Sequence, residues 1–399
     1  MTEPGGPTAR RALRRGLVAI LLVVAVGSGV GIGALVAAGS GPDPSHLAAG
    51  TPLPTGTPSP DPSPTPPSSP TPSPRPTPRP TPIVVPAPLT GLPVNPDAAG
   101  YHPIAVMIDD HRDARPQSGF NDAAVVWQAP AEGGIPRYML VFQDTIPGSV
   151  GPVRSARQYY VDWAAEWNAV YVHVGGSPDA LATLRSKGRG QLVWNADEFR
   201  YGARYLWRAE GHDAPHNVFS DGEHLRSLAT AVGAADGPLE PAWTFGPDLP
   251  AALRPVGATL TVHYPYEAVT YRYDSNANAY WRYIDGSAVP QVDAADGEIV
   301  APANVVILRM RFGALNDGHP DKHRLDADDV GAGEAIISTN GRIIRGTWSK
   351  DSVTGATRLL DAAGRPITLT AGQTFVQVIA LSYEYEVREG ILLDGGGLR

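Results

Sequence analysis

The chain contains no cysteine in 399 residues. That excludes disulfides, thiolate zinc sites, a cysteine nucleophile and a lipidated cysteine. Export stays open, because a chain that buries a large core needs no covalent staples. Basic charge is also scarce: 32 Lys and Arg face 40 Asp and Glu, for a net charge of −8. The first 15 residues carry four arginines and one glutamate, so everything after them sums to −11. A body this acidic lacks the basic surface that sequence-independent nucleic-acid binding requires, and no nucleic-acid partner is expected. The folded part also has no G-x-S-x-G, H-E-x-x-H or Walker loop. No cofactor is expected.

What is present begins with one long apolar run. Gly16 to Ala38 is uncharged and follows Arg10, Arg11, Arg14 and Arg15. At about 1.5 Å per residue it is long enough to cross a hydrocarbon layer of roughly 30 Å. The arginines place the basic tail, 1–15, in the cytoplasm and the folded part outside. A cleaved signal peptide ending at Val36-Ala37-Ala38 is the rival reading, and the length of the run favours a retained transmembrane anchor at 16–38. Residues 39–86 are rich in Pro, Ser and Thr, and 17 of the 41 prolines lie between Gly41 and Pro82. Such a segment is a semi-rigid polyproline spacer that reaches on the order of 150 Å at about 3.1 Å per residue.

Residues 87–250 read as an α/β domain. Ile104–Ile108, Ala123–Gln128, Tyr138–Phe142, Ala169–Val174 and Gln191–Trp194 have strand patterns. Helices are expected over Tyr159–Trp167, Pro178–Ser186 and Asp221–Val232, the first opening near Arg154, Ser155 and Arg157. Residues 255–395 read as a mainly β domain of eight strands, with Asn340-Gly341 a strong two-residue hairpin turn.

The densest set of recognition residues is Gly151 to Ser177. A helix N-terminus carrying two arginines, beside a strand ending in Gly175-Gly176-Ser177, suits a negatively charged group. Arg154 and Arg157 would clamp it, Ser155 would add a donor, and Asp109, His216 and Asn217 would form the rim. Glu132, Arg137, Arg154 and Arg157 read equally well as a catalytic acid with an anion clamp or as a structural ion-pair cluster. Asp109 follows a strand end, where open α/β sheets place ligands, whereas Asp110 fits a turn carboxylate. Asp109, Glu132 and His216 are the candidate acids and bases. His173, alone among apolar neighbours, fits the core better than a site.

No metal is expected. His212 and His216 are four apart, but Pro215 breaks the helix that would align them, and His319 and His323 fail for the same reason. Asp274 to Asp285 imitates a calcium loop with Ala279 where glycine belongs. Asp326, Asp328 and Asp329 read as a solvated acidic turn.

PLTGLPV (87–93), IAVMIDD, ARPQSGF (114–120), APAEGGIPRYM (129–139), GPVRSARQYYVDWA, VYVHVGGSP and APHNVF (214–219) resemble the YerB-like lipoprotein family, an extracytoplasmic bacterial family of unknown function (DUF 3048). NGRIIRGTW and LTAGQTFVQVI resemble its C-terminal companion domain. The resemblance implies an envelope location and an α/β plus β architecture, with no settled reaction. Arg115, Gln117, Ser118, Glu132, Arg137, Arg154, Ser155, Arg157, His173 and His216 match the family motifs position by position. Two departures stand out: Trp127-Gln128 replaces the family's Tyr-Glu, and the apolar span stands where a lipid-anchored cysteine is usual.

These readings converge on a membrane-tethered envelope protein that binds an anionic or glycan component of the cell wall, or a wall-synthesis partner. Its candidate ligand contacts are Arg115, Arg137, Arg154, Ser155, Arg157, His173, Ser177, His216 and Asn217. The alternative is an envelope hydrolase acting on a glycosidic or phosphodiester bond, with Glu132 or Asp109 as acid or base.

Overall fold

Runs such as Ile104-Ala-Val-Met-Ile108 and Val305-Val-Ile-Leu308 are apolar without alternation, which requires a sheet covered on both faces. The computed structural model, which describes residues 83–392, contains that sheet. The basic tail, the apolar span and nearly all of the linker lie outside the described residues. Among the described residues no helix is long and apolar enough to cross a membrane.

Residues 87–250 supply strands β1 (Ile104–Asp109), β2 (Val125–Pro130), β3 (Pro136–Phe142), β4 (Val170–His173) and β5 (Trp194–Asp197). They also supply helices α1 (Gln158–Ala164), α2 (Pro178–Lys187), α3 (Glu198–Tyr205) and α4 (Gly222–Val232). The later part contributes β6 (Thr259–His263), β7 (Ala268–Asp274), β8 (Ala279–Ile284), β9 (Asn304–Met310), β10 (Gly331–Thr339) and β11 (Arg342–Lys350). It ends with β12 (Arg358–Leu360), β13 (Thr374–Ala380) and β14 (Tyr385–Arg388).

Strands from both parts form one ten-stranded sheet, in the order β12-β11-β10-β9-β13-β2-β3-β1-β4-β5. The join is parallel: Val125 to Gln128 of β2 pair with Thr374 to Gln377 of β13. A second sheet, β8-β7-β6-β14, is antiparallel throughout. One face of the large sheet, with Met107, Trp127 and Val376, packs on α1, where Trp163 stacks on Trp127 at 4.7 Å. The other face, with Val106, Ile108 and Phe375, packs on Leu225 and Leu228 of α4 and on Leu260, Val262 and Tyr271 of the second sheet. Each covered face removes apolar surface from water at about 25 cal/mol per Å².

The eight later strands stand where they were expected. Asn340 and Gly341, at φ 51° and 71°, make the β10–β11 hairpin turn. Three local expectations are corrected. The first helix begins at Gln158 and not near Arg154, because residues 153–156 are extended beside β1. The strand expected at Gln191–Trp194 lies at Trp194–Asp197. Helix α3 was not foreseen; Asp197 caps it by accepting from the Phe199 N–H, and Phe199 on its flank is exposed.

Two buried charges tie α1 and its 3-10 extension to the later strands. Lys350 Nζ donates to Glu166 Oε1 at 2.9 Å, and both side chains are fully buried. Asp329, in the turn expected to be solvated, is only 7% exposed, unlike its neighbours Asp326 and Asp328. Burial, reinforced by the nearby Asp162 carboxylate, pushes Asp329 up to about 7. Asp162 is itself raised to about 6, chiefly by burial.

Candidate functional site

The site forms where β1 leaves the sheet. Asp109 is the last residue of β1 and sits directly opposite Arg137 of β3 in the antiparallel register. Arg137 Nη1 donates to Asp109 Oδ1 at 3.3 Å, and its Nη2 donates to Glu132 Oε1 at 3.0 Å. Glu132 comes within reach because Gly133 and Gly134, at φ 68° and 76°, turn the chain tightly from β2 into β3. A Cβ on Gly134 would also stand 2.9 Å from that of Pro265, so only glycine fits there.

Residues 153–156 thread past the end of β1. The Asp109 N–H donates to the Pro152 carbonyl and the Arg154 N–H to the Met107 carbonyl, each at 2.9 Å. This backbone pairing sets Arg154 Nε 2.9 Å from Asp109 Oδ2. His216, carried on the loop after Pro215, donates from Nδ1 to the same oxygen at 2.6 Å. Arg157 binds the other carboxylate: its Nε donates to Glu132 Oε2 at 2.7 Å and its Nη2 donates to Oε1.

Five residues expected to meet therefore do converge: Asp109, Glu132, Arg154, Arg157 and His216, with Arg137 bridging the two carboxylates. They form an ion-pair network with a partly open rim. The Arg157 side chain is 4% exposed, His216 13%, Arg154 22% and Glu132 30%. Burial would raise the Asp109 carboxyl, but Arg137, Arg154, His216 and the His111 N–H outweigh it and hold the group below its ordinary value. Glu132 follows the same balance: burial opposes ionisation, and Arg137 and Arg157 override it, holding the carboxyl at about 2. Arg154 is shifted down, first by burial and then by the like charges of Arg137 and Arg157.

The charges do not cancel. Three guanidinium groups meet two carboxylates. Among the described residues, the terminal nitrogens of Arg154 donate to no protein acceptor. Ser155 follows it at half-buried depth.

Other candidates are placed elsewhere or already engaged. Arg115 donates to Asp110 Oδ1 at 3.0 Å and also to Glu267 Oε2. Gln128 donates to Asp110 Oδ2 at 2.7 Å and to Glu267 Oε1 at 2.9 Å, and accepts from Arg282 at 2.9 Å. Burial and the Glu267 charge raise Asp110 well above its ordinary value. Asp110 is thus a core group and not a turn carboxylate. Glu267 supplies a carboxylate beside Gln128, in the Asp110 and Arg115 cluster.

The two ring nitrogens of His173 lie 2.7 Å from the Gly175 carbonyl oxygen and 2.8 Å from the Asn195 amide oxygen, so the ring is a satisfied core residue. Ser177 is buried before α2 with its hydroxyl unpartnered, and Asn217 accepts from Arg208 at 3.0 Å. Neither is tied into the Asp109 network. The helix-end part of the anion reading is corrected as well, since α1 has only seven residues and Arg154 is not on it.

Sequence reasoning missed Glu267 and Arg282. Period-two alternation did carry a signal for Arg282, because Tyr280 and Arg282 share the inward face of β8. Glu267 sits in the turn between β6 and β7, and nothing local marks it. Pro215 set the His212 and His216 spacing aside, and sequence reasoning did not consider His111 as a partner of His216. His216 meets His111, whose ring stacks on it with centroids 4.9 Å apart, and not His212.

A two-part chain in which an α/β segment and a β segment share one sheet, with this network at the strand end, defines a class. The chain belongs to the DUF3048 family of proteins of unknown function, whose N-terminal domain matches residues 89–235 and whose C-terminal domain matches 260–376. It is 30% identical over 301 residues to "Putative lipoprotein YerB" of Bacillus subtilis (strain 168), covering 73% of this chain and 85% of that one. The crystal structure of the YerB protein from Bacillus subtilis superposes with a TM-score of 0.66 at 28% identity, over 75% of this chain and 99% of that one.

Proposed function

We propose that this chain is an envelope protein, held at the outer side of the membrane by the 16–38 span and the 39–86 spacer, that binds an anionic group of the cell wall or of a wall-synthesis partner. One observation carries the reading. A partly buried cluster of three arginines and two carboxylates keeps a surplus positive charge, and Arg154, 22% exposed, has terminal nitrogens with no protein acceptor among the described residues. A guanidinium whose terminal nitrogens lack protein acceptors is a donor pair for a phosphate or carboxylate. The lipoprotein name of the Bacillus subtilis relative supports a membrane-attached, extracytoplasmic setting. With no cysteine to lipidate, the apolar span takes over attachment in this reading.

Binding is favoured over hydrolysis. Arg137 and Arg157 hold the Glu132 carboxyl low against its burial, which disfavours it as a general acid at neutral pH. Asp109 is held low in the same way by Arg137 and Arg154.

The test uses the full chain in mild detergent with purified sacculi. Retention on the wall, reduced at least tenfold in Arg154→Ala and unaccompanied by released fragments, is the expected result. Equal retention of Arg154→Ala and the parent overturns the assignment of the anion to this residue. Release of wall fragments that Glu132→Gln abolishes replaces binding with hydrolysis.

A further inference from the structure

We propose that His111, Asp113 and His216 form a binding site for a divalent transition cation of the zinc class. The inference goes beyond the anion reading, because none of its ligands is an arginine. One ligating atom from each residue lies within 4.8 Å of the other two. Tetrahedral zinc, with bonds of about 2.0–2.1 Å, sets its ligand atoms roughly 3.3 Å apart. His111 Nδ1 and Asp113 Oδ2 already stand 3.4 Å apart. The remaining closure falls chiefly on Asp113, which is 73% exposed, since the half-buried His111 caps the 3-10 turn Arg112–Ala114 and stacks on His216.

His216 is set up for the role. Its Nδ1–H donates to Asp109, so the neutral ring keeps its lone pair on Nε2. A carboxylate behind an imidazole is the usual outer partner of a metal-bound histidine, since it fixes the tautomer and raises the basicity of the ligating nitrogen. Asp109 is itself fixed by Arg137, Arg154 and the His111 N–H, so the ring is oriented before any cation arrives. His111 Nδ1 accepts the Asp113 N–H at 3.2 Å, so a cation takes that lone pair only by displacing this turn bond.

Two imidazoles and one carboxylate select against calcium and magnesium, which take oxygen ligands. Three protein ligands leave a fourth position open. Sequence spacing did not show the site, since Asp113 follows His111 by two residues in a 3-10 turn while His216 arrives from a loop about a hundred residues later.

The test is titration of the chelator-stripped full chain, in mild detergent, with ZnCl2 by calorimetry and with CoCl2 by visible absorption. One equivalent of zinc and a cobalt d–d band are expected. His111→Ala and His216→Ala each lower affinity at least tenfold, and Asp109→Asn lowers it about 10–100-fold through the orientation of His216. His319→Ala and His323→Ala leave it unchanged. If Asp109→Asn fails to fold, His111→Ala decides, because its ring is only half-buried. No heat and no cobalt band with excess metal, or equal uptake by the His111→Ala/His216→Ala double variant, overturns the proposal. Zinc titration needs no wall material, and sacculus retention measured in chelator reports on Arg154 alone, so failure of one reading is distinguishable from failure of the other.

Discussion

Asp329 offers the sharpest quantitative test, because a buried carboxyl next to another acidic group makes stability depend on pH in an unusual direction. Its folded value of about 7 lies above the ordinary 3.8. The fold therefore holds this proton more tightly than the unfolded chain does. The stabilising contribution is complete below the unfolded value and is lost as pH rises through about 7. A shift of about three units sets a ceiling near 4 kcal/mol at about 1.36 kcal/mol per unit, and coupling to Asp162 lowers the expected effect to about 2. Asp329→Asn removes the charge while keeping the shape. At pH 8 the variant should be more stable than the parent by about 2 kcal/mol, a rise in Tm of roughly 4 °C for a domain of this size. At pH 5, above the unfolded value but below the folded one, the difference should shrink to about a third of that, and the two should melt together only below about pH 3.8. Asp328→Asn, on an exposed neighbour, is the control and should shift neither curve. Thermal denaturation at the two pH values decides the matter. An Asp329→Asn variant less stable than the parent at pH 8, or a shift of equal size at both pH values, refutes the reasoning.

Two further perturbations follow from the other buried charges. Lys350→Met leaves Glu166 buried without its partner and should cost about 3–5 kcal/mol in urea denaturation, whereas the Lys350→Met/Glu166→Leu pair should recover most of it. Glu132→Gln acts in the opposite pH direction from Asp329: the parent's contribution is present above about 4.5 and lost as pH falls towards about 2. The variant should lose about 2 kcal/mol at pH 7 and show a flatter acid limb, and an acid limb identical to the parent's would count against the pairing.

Much of the secondary structure was legible because the signals were local. The eight later strands announced themselves through β-branched and aromatic runs between turn residues, and Asn340-Gly341 carried its own turn type. Helix α3 was hidden because its apolar residues do not fall on one buried stripe, with Phe199 left exposed. The candidate site was legible in part. Asp109, Arg154 and His216 were singled out separately from strand-end position, charge and loop context, and they share one carboxylate oxygen. Their pairing was not legible, since it depends on residues 153–156 running beside β1. Arg115 looked available to a ligand because the carboxylate that engages it, Glu267, is 152 residues away. Asp329 looked solvated for a similar reason, because what buries it lies far off in sequence.

The parallel pairing of β2 with β13 has a consequence for how the molecule comes into being. Val125 cannot find its neighbour until Thr374 exists, so the middle of the main sheet is closed by a contact spanning most of the folded length. Such long-range closure is slow relative to local structure and leaves an open strand edge while it waits. A chain threaded outward through a membrane from its N-terminus would present the early strands first and their completing partner last. The two family domains are thus interdependent halves of one folding event. Neither is a module that recombination could pass to another protein without its counterpart.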